Sequence, residues 1–579
     1  MLASLAVVET ALQSSSQEIE PTSDRVKQQN RLFEEQFEAD MKASPETATA
    51  YGRYEYNALL DSRSLVAARK QNDSDVDFRT RLSRISTEGF PEQDRISHDL
   101  LMQVLDQRIT DYSLKSYEMP LSQMQGVHND LADLPKSVPL DSVKQYEDYI
   151  HRLTQIPRAF AETIEVLRRG EKDGLMPPRR LLDQVPSQCR GVIAENPFVE
   201  PIRRFPTSIS PRDQRRLRKA VVSTVNRDVL PAYQRFARFV EREYAPHGRA
   251  SIGMLDLPDG LKRYQTEIWE QTSTDMSPDE IQQLGLREVA RISALMAALT
   301  HESGFADIKS YRASLAKDPN LIPASPNQIV DDFRRYIAQM QPRLGQLFNR
   351  IPTTPLTVEA IPDSQPGNAS HYVPGPPDGT RPGRVVVATA NFRGRSLIGD
   401  ETLAYHEGVP GHHMQISIQQ QLPDMPEFRH HLINNAFAEG WAVYAEGLGK
   451  EIGFFQNPAS DFGRLSTEMI RAVRLVIDPG IHAKGWTREQ AVQYFRDSGA
   501  ADESTIQAEV DRYIAWPAQS LGYKIGQLKI RGLRERATAT LGPRFDLRSF
   551  HDEVLSGGNL PLNMLEARVE NWTRAMALE

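Results

Sequence analysis

Apolar residues recur at steps of three and four along most of the chain. Between Asp141 and Gly170 they fall at Val143, Tyr146, Ile150, Leu153, Ile156, Phe160, Ile164 and Leu167. That spacing lines one face of a helix, and Pro157, which lacks an amide proton, predicts a kink or a division within it. Pro211–Tyr244 repeats the pattern at Leu217, Val221, Val225, Leu230, Tyr233, Phe236 and Val240. Ser277-Pro278-Asp279-Glu280 is a capping box with proline in the first turn, opening a helix to about Thr300. Pro326–Asn349 and Arg488–Asp497 are also predicted helical.

Strand signals cluster in two β-branched runs, Leu356–Ile361 and Arg384–Ala390, separated by the turn-rich stretch Asp363–Gly383. The expected fold class is therefore mainly α, with a short sheet and a long loop. No tandem repeat is visible. The simplest organisation is a single helical domain over residues 23–579, in two intertwined halves with joints near Met119–Pro139 and Ala245–Gly260. Residues 1–22 open with the short apolar run MLASLAVV, which no Lys or Arg precedes. They are expected to be a flexible start or the remnant of an export signal.

Composition narrows the function classes. The 579 residues carry 69 Lys+Arg against 77 Asp+Glu, a formal charge of −8, which argues against general nucleic-acid binding. The basic group Arg203, Arg204, Arg212, Arg215, Arg216, Arg218 and Lys219 reads as a solvated helix face. Apolar runs such as Ala294–Leu299 fall far short of the roughly 18 residues an integral membrane segment requires. The single cysteine, Cys189, excludes an internal disulfide framework and Cys-ligated zinc or iron–sulfur sites. Compartment, cytoplasmic or exported, and oligomeric state are not legible in the sequence.

Chemistry concentrates in Glu401–Lys450. Three of the 13 histidines, His406, His412 and His413, lie within eight residues, and Glu407 follows the first directly. A catalytic zinc takes about three N/O ligands with an open position for water, and a neighbouring carboxylate accepts that water's proton. The familiar His-Glu-x-x-His helix places its histidines one turn apart, but here the i+4 position is Pro410. On an unbroken helix His412 lies some 240° round from His406, and His413 returns to the same face only about 10.5 Å along the axis. Ligands about 2.0–2.1 Å from one ion are much closer together than that. Pro410-Gly411 breaks the helix, so a looped-out bulge at Gly408–Gly411 is expected to bring His412 back beside His406. Clustered capping or core histidines are the alternative.

HEGVPGHHMQ, followed 27 residues after His412 by EGWAVYAEG, resembles the bacterial family catalogued as domain of unknown function 885. Further blocks resemble it in the same order: DGTRPG at Asp378–Gly383, LVIDPGIHAKGW at Leu475–Trp486, RYIAWPAQSLGYKIGQLKI at Arg512–Ile530 and FHDEVLSGGNLPL at Phe550–Leu562. That family is grouped with the gluzincin-type zinc metallopeptidases. The resemblance implies a large multi-helix peptidase-like fold with a deep cleft, a small β-sheet beside the active site, and an active-site region at about 355–530. It also implies one zinc ion held by His406, His412 and Glu439, with Glu407 as general base. His413 is the rival for His412. Glu446, seven residues after Glu439 on the same helix face, is the rival for Glu439 and otherwise orients a ligand from behind.

Around this centre, Arg384–Ala390 is either a candidate edge strand on which an extended peptide would lie, roofed by the loop His371–Gly383 with Tyr372 and Arg381, or an ordinary core strand. Arg474, Asp478 and His482, at i, i+4 and i+8, read as a relay to the ligands or a plain salt-bridge ladder. Tyr523 is the expected oxyanion donor, with Tyr513 as its rival. Lys524 or Arg512 is the expected holder of a peptide's terminal carboxylate. The leading expectation is a zinc-dependent peptidase acting on short peptides. The alternatives are a zinc amidase for a non-peptide metabolite and a non-catalytic binding protein on the same scaffold.

Overall fold

The capping box at Ser277 forms: Ser277 Oγ accepts the Glu280 amide proton at 3.3 Å, and the Glu280 carboxylate accepts the Ser277 amide proton at 2.8 Å. The helix it opens runs Pro278–Glu302. The structure, a computed structural model, describes residues 21–361, 369–375, 381–423 and 425–578. The expected flexible start at residues 1–22 therefore lies almost wholly outside the described residues, as does the middle of the loop expected as a roof. Helix makes up 71% of the chain, about twice the average share, so the mainly α class holds.

The Asp141–Gly170 stripe becomes one helix, Val143–Lys172, undivided at Pro157. A proline inside a helix costs about 3 kcal/mol. Tyr146, Tyr149, Leu153, Ile156, Phe160 and Leu167 are all buried along that helix, and each large apolar side chain contributes about 1.5–3 kcal/mol when buried. Packing outweighs the lost bond. The Pro211–Tyr244 stripe is helical throughout but loosens into π turns at Val225–Val229 and Val240–Tyr244.

One apolar cluster gathers residues between Leu60 and Ala245. A larger one joins Ile96, Leu175 and Met254 to Tyr405, Trp441, Leu521 and Val569, so the two parts of the chain share a core. Within that larger cluster sit Val358, Val385 and Val387 of a three-stranded sheet. Strands β1 (Leu356–Ala360), β2 (His371–Val373) and β3 (Gly383–Val387) lie in the order β1-β3-β2, with β1 parallel and β2 antiparallel to β3. The run predicted as an edge strand is thus the central one. Its three consecutive valines are all buried, as befits a strand covered on both faces. The edge toward the histidines is β2, which the sequence did not mark as a strand.

The helices Asn435–Glu451 and Leu521–Leu541 pack along each other at a glycine contact. A Cβ on Gly526 would stand 1.9 Å from the Ala436 carbonyl oxygen, and one on Gly440 would stand 2.4 Å from Gly526 Cα. Only bare backbone permits that approach, which draws the turn bearing Tyr523 toward the turn bearing Glu439. Among the described residues, no helix is long and apolar enough to cross a membrane.

Candidate metal centre

The helix Asp400–Glu407 stops at Gly408, and a new helix begins at His412. Between them the backbone bonds span more residues than a helical turn. The Gly411 amide reaches the Tyr405 carbonyl at 3.0 Å, and the His413 amide reaches the Gly408 carbonyl at 3.2 Å. A side chain on Gly411 would put its Cβ 2.0 Å from the His406 carbonyl oxygen, so the bulge closes only around glycine. Trp441 Nε1 pins it from outside, donating to the Pro410 carbonyl at 2.9 Å. The expected loop at Gly408–Gly411 therefore exists. It sets the His406 and His412 rings 4.8 Å apart and nearly perpendicular.

Glu439 enters from the Asn435–Glu451 helix. Its Oε2 lies 3.4 Å from His406 Nε2 and 3.5 Å from His412 Nε2, and one ligand atom from each of the three residues falls within 4.8 Å of the others. Tetrahedral ligands about 2.05 Å from one zinc stand roughly 3.3–3.4 Å apart, so the two short separations match a shared ion. Protonation logic agrees. His406 Nδ1 lies 2.8 Å from Glu446 Oε1, and a carboxylate only accepts, so Nδ1 carries the proton and a neutral ring turns the lone pair of Nε2 toward Glu439. Glu439 Oε2 is sealed from solvent and has no hydrogen-bond partner among the described residues. A carboxylate oxygen facing two imidazole nitrogens at these separations favours a cation or a proton among them. Without a metal, that demand falls on protons. Burial would lower His406, but Glu439 and Glu446 push it up to about 10. Burial would likewise raise Glu439, yet His406 and His412 hold it well below the usual carboxylate range. The donor set fits a divalent metal.

Glu407 is buried beside this cluster. Burial raises its carboxyl above the ordinary value, opposed by His406 and His412. His413 has another task. Its Nε2 donates to the Thr354 carbonyl at 3.2 Å, leaving Nδ1 to accept from the Tyr372 hydroxyl at 3.0 Å. Burial drives its pKa down to about 4. His413 ties the sheet to the bulge and is not a ligand. Tyr372, expected to contact substrate through its side chain, spends its hydroxyl on His413.

The remaining expectations divide. Glu446 orients His406, as anticipated. The ring of Tyr523 lies under the guanidiniums of Arg474 and Arg471, at 4.5 and 5.6 Å, and its hydroxyl bonds to no described residue. Burial and the Glu439 charge raise it to about 12. Tyr513, in contrast, is fully buried and donates to Glu509 at 2.6 Å, so it offers no free hydroxyl. Lys524 is 0% exposed and pairs with Glu468 at 2.8 Å and Glu288 at 3.0 Å, which corrects its assignment as a carboxylate holder. Arg512 bonds both oxygens of Glu509 at 2.9 Å, and Gln519 as well. Asp478 and His482 do not reach the three ligands. Asp478 accepts from Tyr264, the Ala518 amide and Ser520, and His482 Nε2 donates to the Tyr513 carbonyl. They brace the turn between two helices, which replaces the expected relay. Arg381 is exposed at the end of the loop segment 376–380, which lies outside the described residues.

Two residues at the site escaped the sequence reading. Glu509 holds both Arg474 and Arg512, and Arg471 lies 3.6 Å from Glu446. Extending the Arg474–Asp478–His482 face back by one turn would have reached Arg471.

The family model described as "Bacterial protein of unknown function (DUF885)" matches residues 45–569. Among solved structures, a candidate lipoprotein from Colwellia psychrerythraea is 28% identical, with a TM-score of 0.90 over 95% of this chain and 100% of that one. A candidate lipoprotein of unknown function from Shewanella oneidensis is 18% identical, with a TM-score of 0.70 over 94% of this chain and 99% of that one, and shares the fold. No curated protein matches the chain.

Proposed function

We propose that this chain, which belongs to the DUF885 family of bacterial proteins of unknown function, is a zinc-dependent hydrolase that cleaves peptide bonds in short peptides. The observation that carries the reading is the convergence of His406 Nε2, His412 Nε2 and Glu439 Oε2 at ligand spacing, with the carboxylate of Glu407 buried beside them. Two nitrogens and one oxygen are a donor set suited to zinc. When bound, the ion supplies Lewis acidity, polarising a carbonyl and lowering the pKa of a water toward about 7.

The chain's own groups do the rest. Glu407, buried beside His406, takes the proton of the attacking water and returns it to the leaving amine. Tyr523, whose hydroxyl is uncommitted among the described residues, donates to the oxygen that gains charge. Glu446 holds the His406 ring in the ligating tautomer. The description of the Colwellia relative as a candidate lipoprotein supports an exported setting.

The test pairs metal content with turnover. Glu407→Gln is expected to keep one zinc per chain and to lose roughly 10²–10⁴-fold in kcat on a short-peptide library. A wild-type chain that takes up no metal on reconstitution overturns the reading, as does a Glu407→Gln variant of undiminished rate.

A further inference from the structure

The cations around Tyr523 are not treated alike. Arg474 bonds Glu509 and the Tyr513 hydroxyl, Arg512 bonds Glu509 and Gln519, and Lys524 is held by Glu288, Glu468 and Gln527. Arg471 differs. Its guanidinium carries five N–H donors yet makes no hydrogen bond to any described residue, although its side chain is only 11% exposed. Its Nε is sealed and unpartnered, and so is Nη1 of the neighbouring Arg474, a residue 6% exposed. The carboxylate paired with Arg471, Glu446, lies 3.6 Å away, beyond hydrogen-bond distance, through the oxygen that also bonds His406. Glu509 is one carboxylate shared by two guanidiniums. Guanidinium donors therefore outnumber the acceptors that the described residues offer here, at a place two contacts from a candidate metal ligand.

Buried donors are almost always satisfied, and a planar guanidinium is best satisfied by a carboxylate it can grip with two N–H groups. We infer that Arg471, lying over the ring of Tyr523, forms an anion subsite that takes the terminal carboxylate of a peptide, so that cleavage falls near the C-terminal end. Which bond is cut rests on the hydrolase reading; the subsite itself does not. The position suits this use. Arg471 lies over the ring of Tyr523, which the Glu439 charge reaches, and an extended residue spans only about 3.3–3.6 Å, so a carboxylate held there belongs to the residues just past the scissile bond. Lys524 and Arg512, the two cations that the sequence offered for this task, are already engaged by Glu288 and Glu468 and by Glu509 and Gln519.

The test measures binding by calorimetry on zinc-loaded Glu407→Gln protein, with three probes: N-acetyl-trialanine, its C-terminal amide, and an amide of the same length ending in aspartate. The free acid is expected to bind about 10- to 100-fold more tightly than either amide, the range for one charge-assisted pair. Arg471→Ala should bring that ratio close to one, and Arg471→Lys, which keeps the charge without the fork, should fall between. Unchanged zinc content and far-UV circular dichroism establish that the variants fold, and the lysine variant carries the test should the alanine variant fail to. Equal binding of acid and amide overturns the inference, as does a preference that survives loss of Arg471. Tight binding of the aspartate amide overturns the terminal assignment in favour of an acidic side chain. Wild-type protein that hydrolyses none of the probes, while the Arg471-dependent preference persists, refutes the hydrolase reading and leaves the subsite standing.

Discussion

The cluster at His406–Glu446 and the wall at Arg471–Lys524 border one another, but they are built on opposite electrostatic plans. In the first, two imidazoles and a carboxylate turn acceptor atoms toward a common point, and Glu446 secures the far side of His406. A cation would fit that arrangement. In the second, Arg471 and Arg474 lie over one aromatic ring, Arg512 lies over the neighbouring Tyr513, and Arg474 and Arg512 share the single carboxylate of Glu509. That arrangement is complete except for an anion. Two neighbouring sites with complementary deficits suit a ligand that brings negative charge beside a metal. The contrast also shows that a buried charge is informative chiefly when its partner is missing. Lys524 is the most deeply buried cation of the group, yet its charge is fully met within the protein.

The contrast can be broken most sharply on the ligand side. His412→Ala is expected to abolish stoichiometric zinc binding, whereas His413→Ala should retain one zinc and lose about 1–3 kcal/mol of stability, the cost of unpairing Thr354 and Tyr372. Elemental analysis of both variants, with urea melts, checks this pair; zinc lost from His413→Ala instead would reverse the assignment. A smaller effect is expected behind the ligand. Glu446→Gln keeps a hydrogen-bonding group beside His406 Nδ1 but removes the charge, and should weaken zinc affinity about 10- to 100-fold, read by competition with a chelator.

The smallest effect tests the wall. Burial would raise the Glu468 carboxyl, but Lys524 and Arg291 bring it down to about 2. A carboxyl whose folded value lies below its unfolded one stabilises fully above about pH 4.5, and that contribution fades as pH falls toward 2. Urea midpoints of wild type and Glu468→Gln should therefore differ most at neutral pH and converge between pH 4.5 and 3. A constant gap across that range would show that Glu468 is not the titrating group.

Much of the centre was legible because its cause is local. Pro410 and Gly411 forbid a continuous helix, a property of consecutive residues, and the bulge that follows has only a few ways to close. The capping boxes and the long stripes were legible for the same reason. The wall was not. Arg471, Lys524 and Arg512 are chemically similar in sequence, and the carboxylates that decide their fates, Glu446, Glu288, Glu468 and Glu509, arrive from other turns and helices. Likewise, Arg384–Ala390 was recognisable as a strand, but its central place depended on β2, a three-residue segment too short to carry a pattern.

By itself, then, the sequence determined the helical class and the helix break between His406 and His412, while Glu439 came in as a ligand only through the family resemblance. Periodicity and backbone chemistry act within a few residues and survive without knowledge of the rest of the chain. The tertiary structure alone decided that His413 serves the sheet, that Lys524 is sealed within acidic partners, and that Arg471 is left with no hydrogen-bond acceptor among the described residues. Those outcomes depend on how closely Gly440 and Gly526 let two helices approach and on which carboxylates the packing brings near, since the state of a buried charge is set by its neighbours in space.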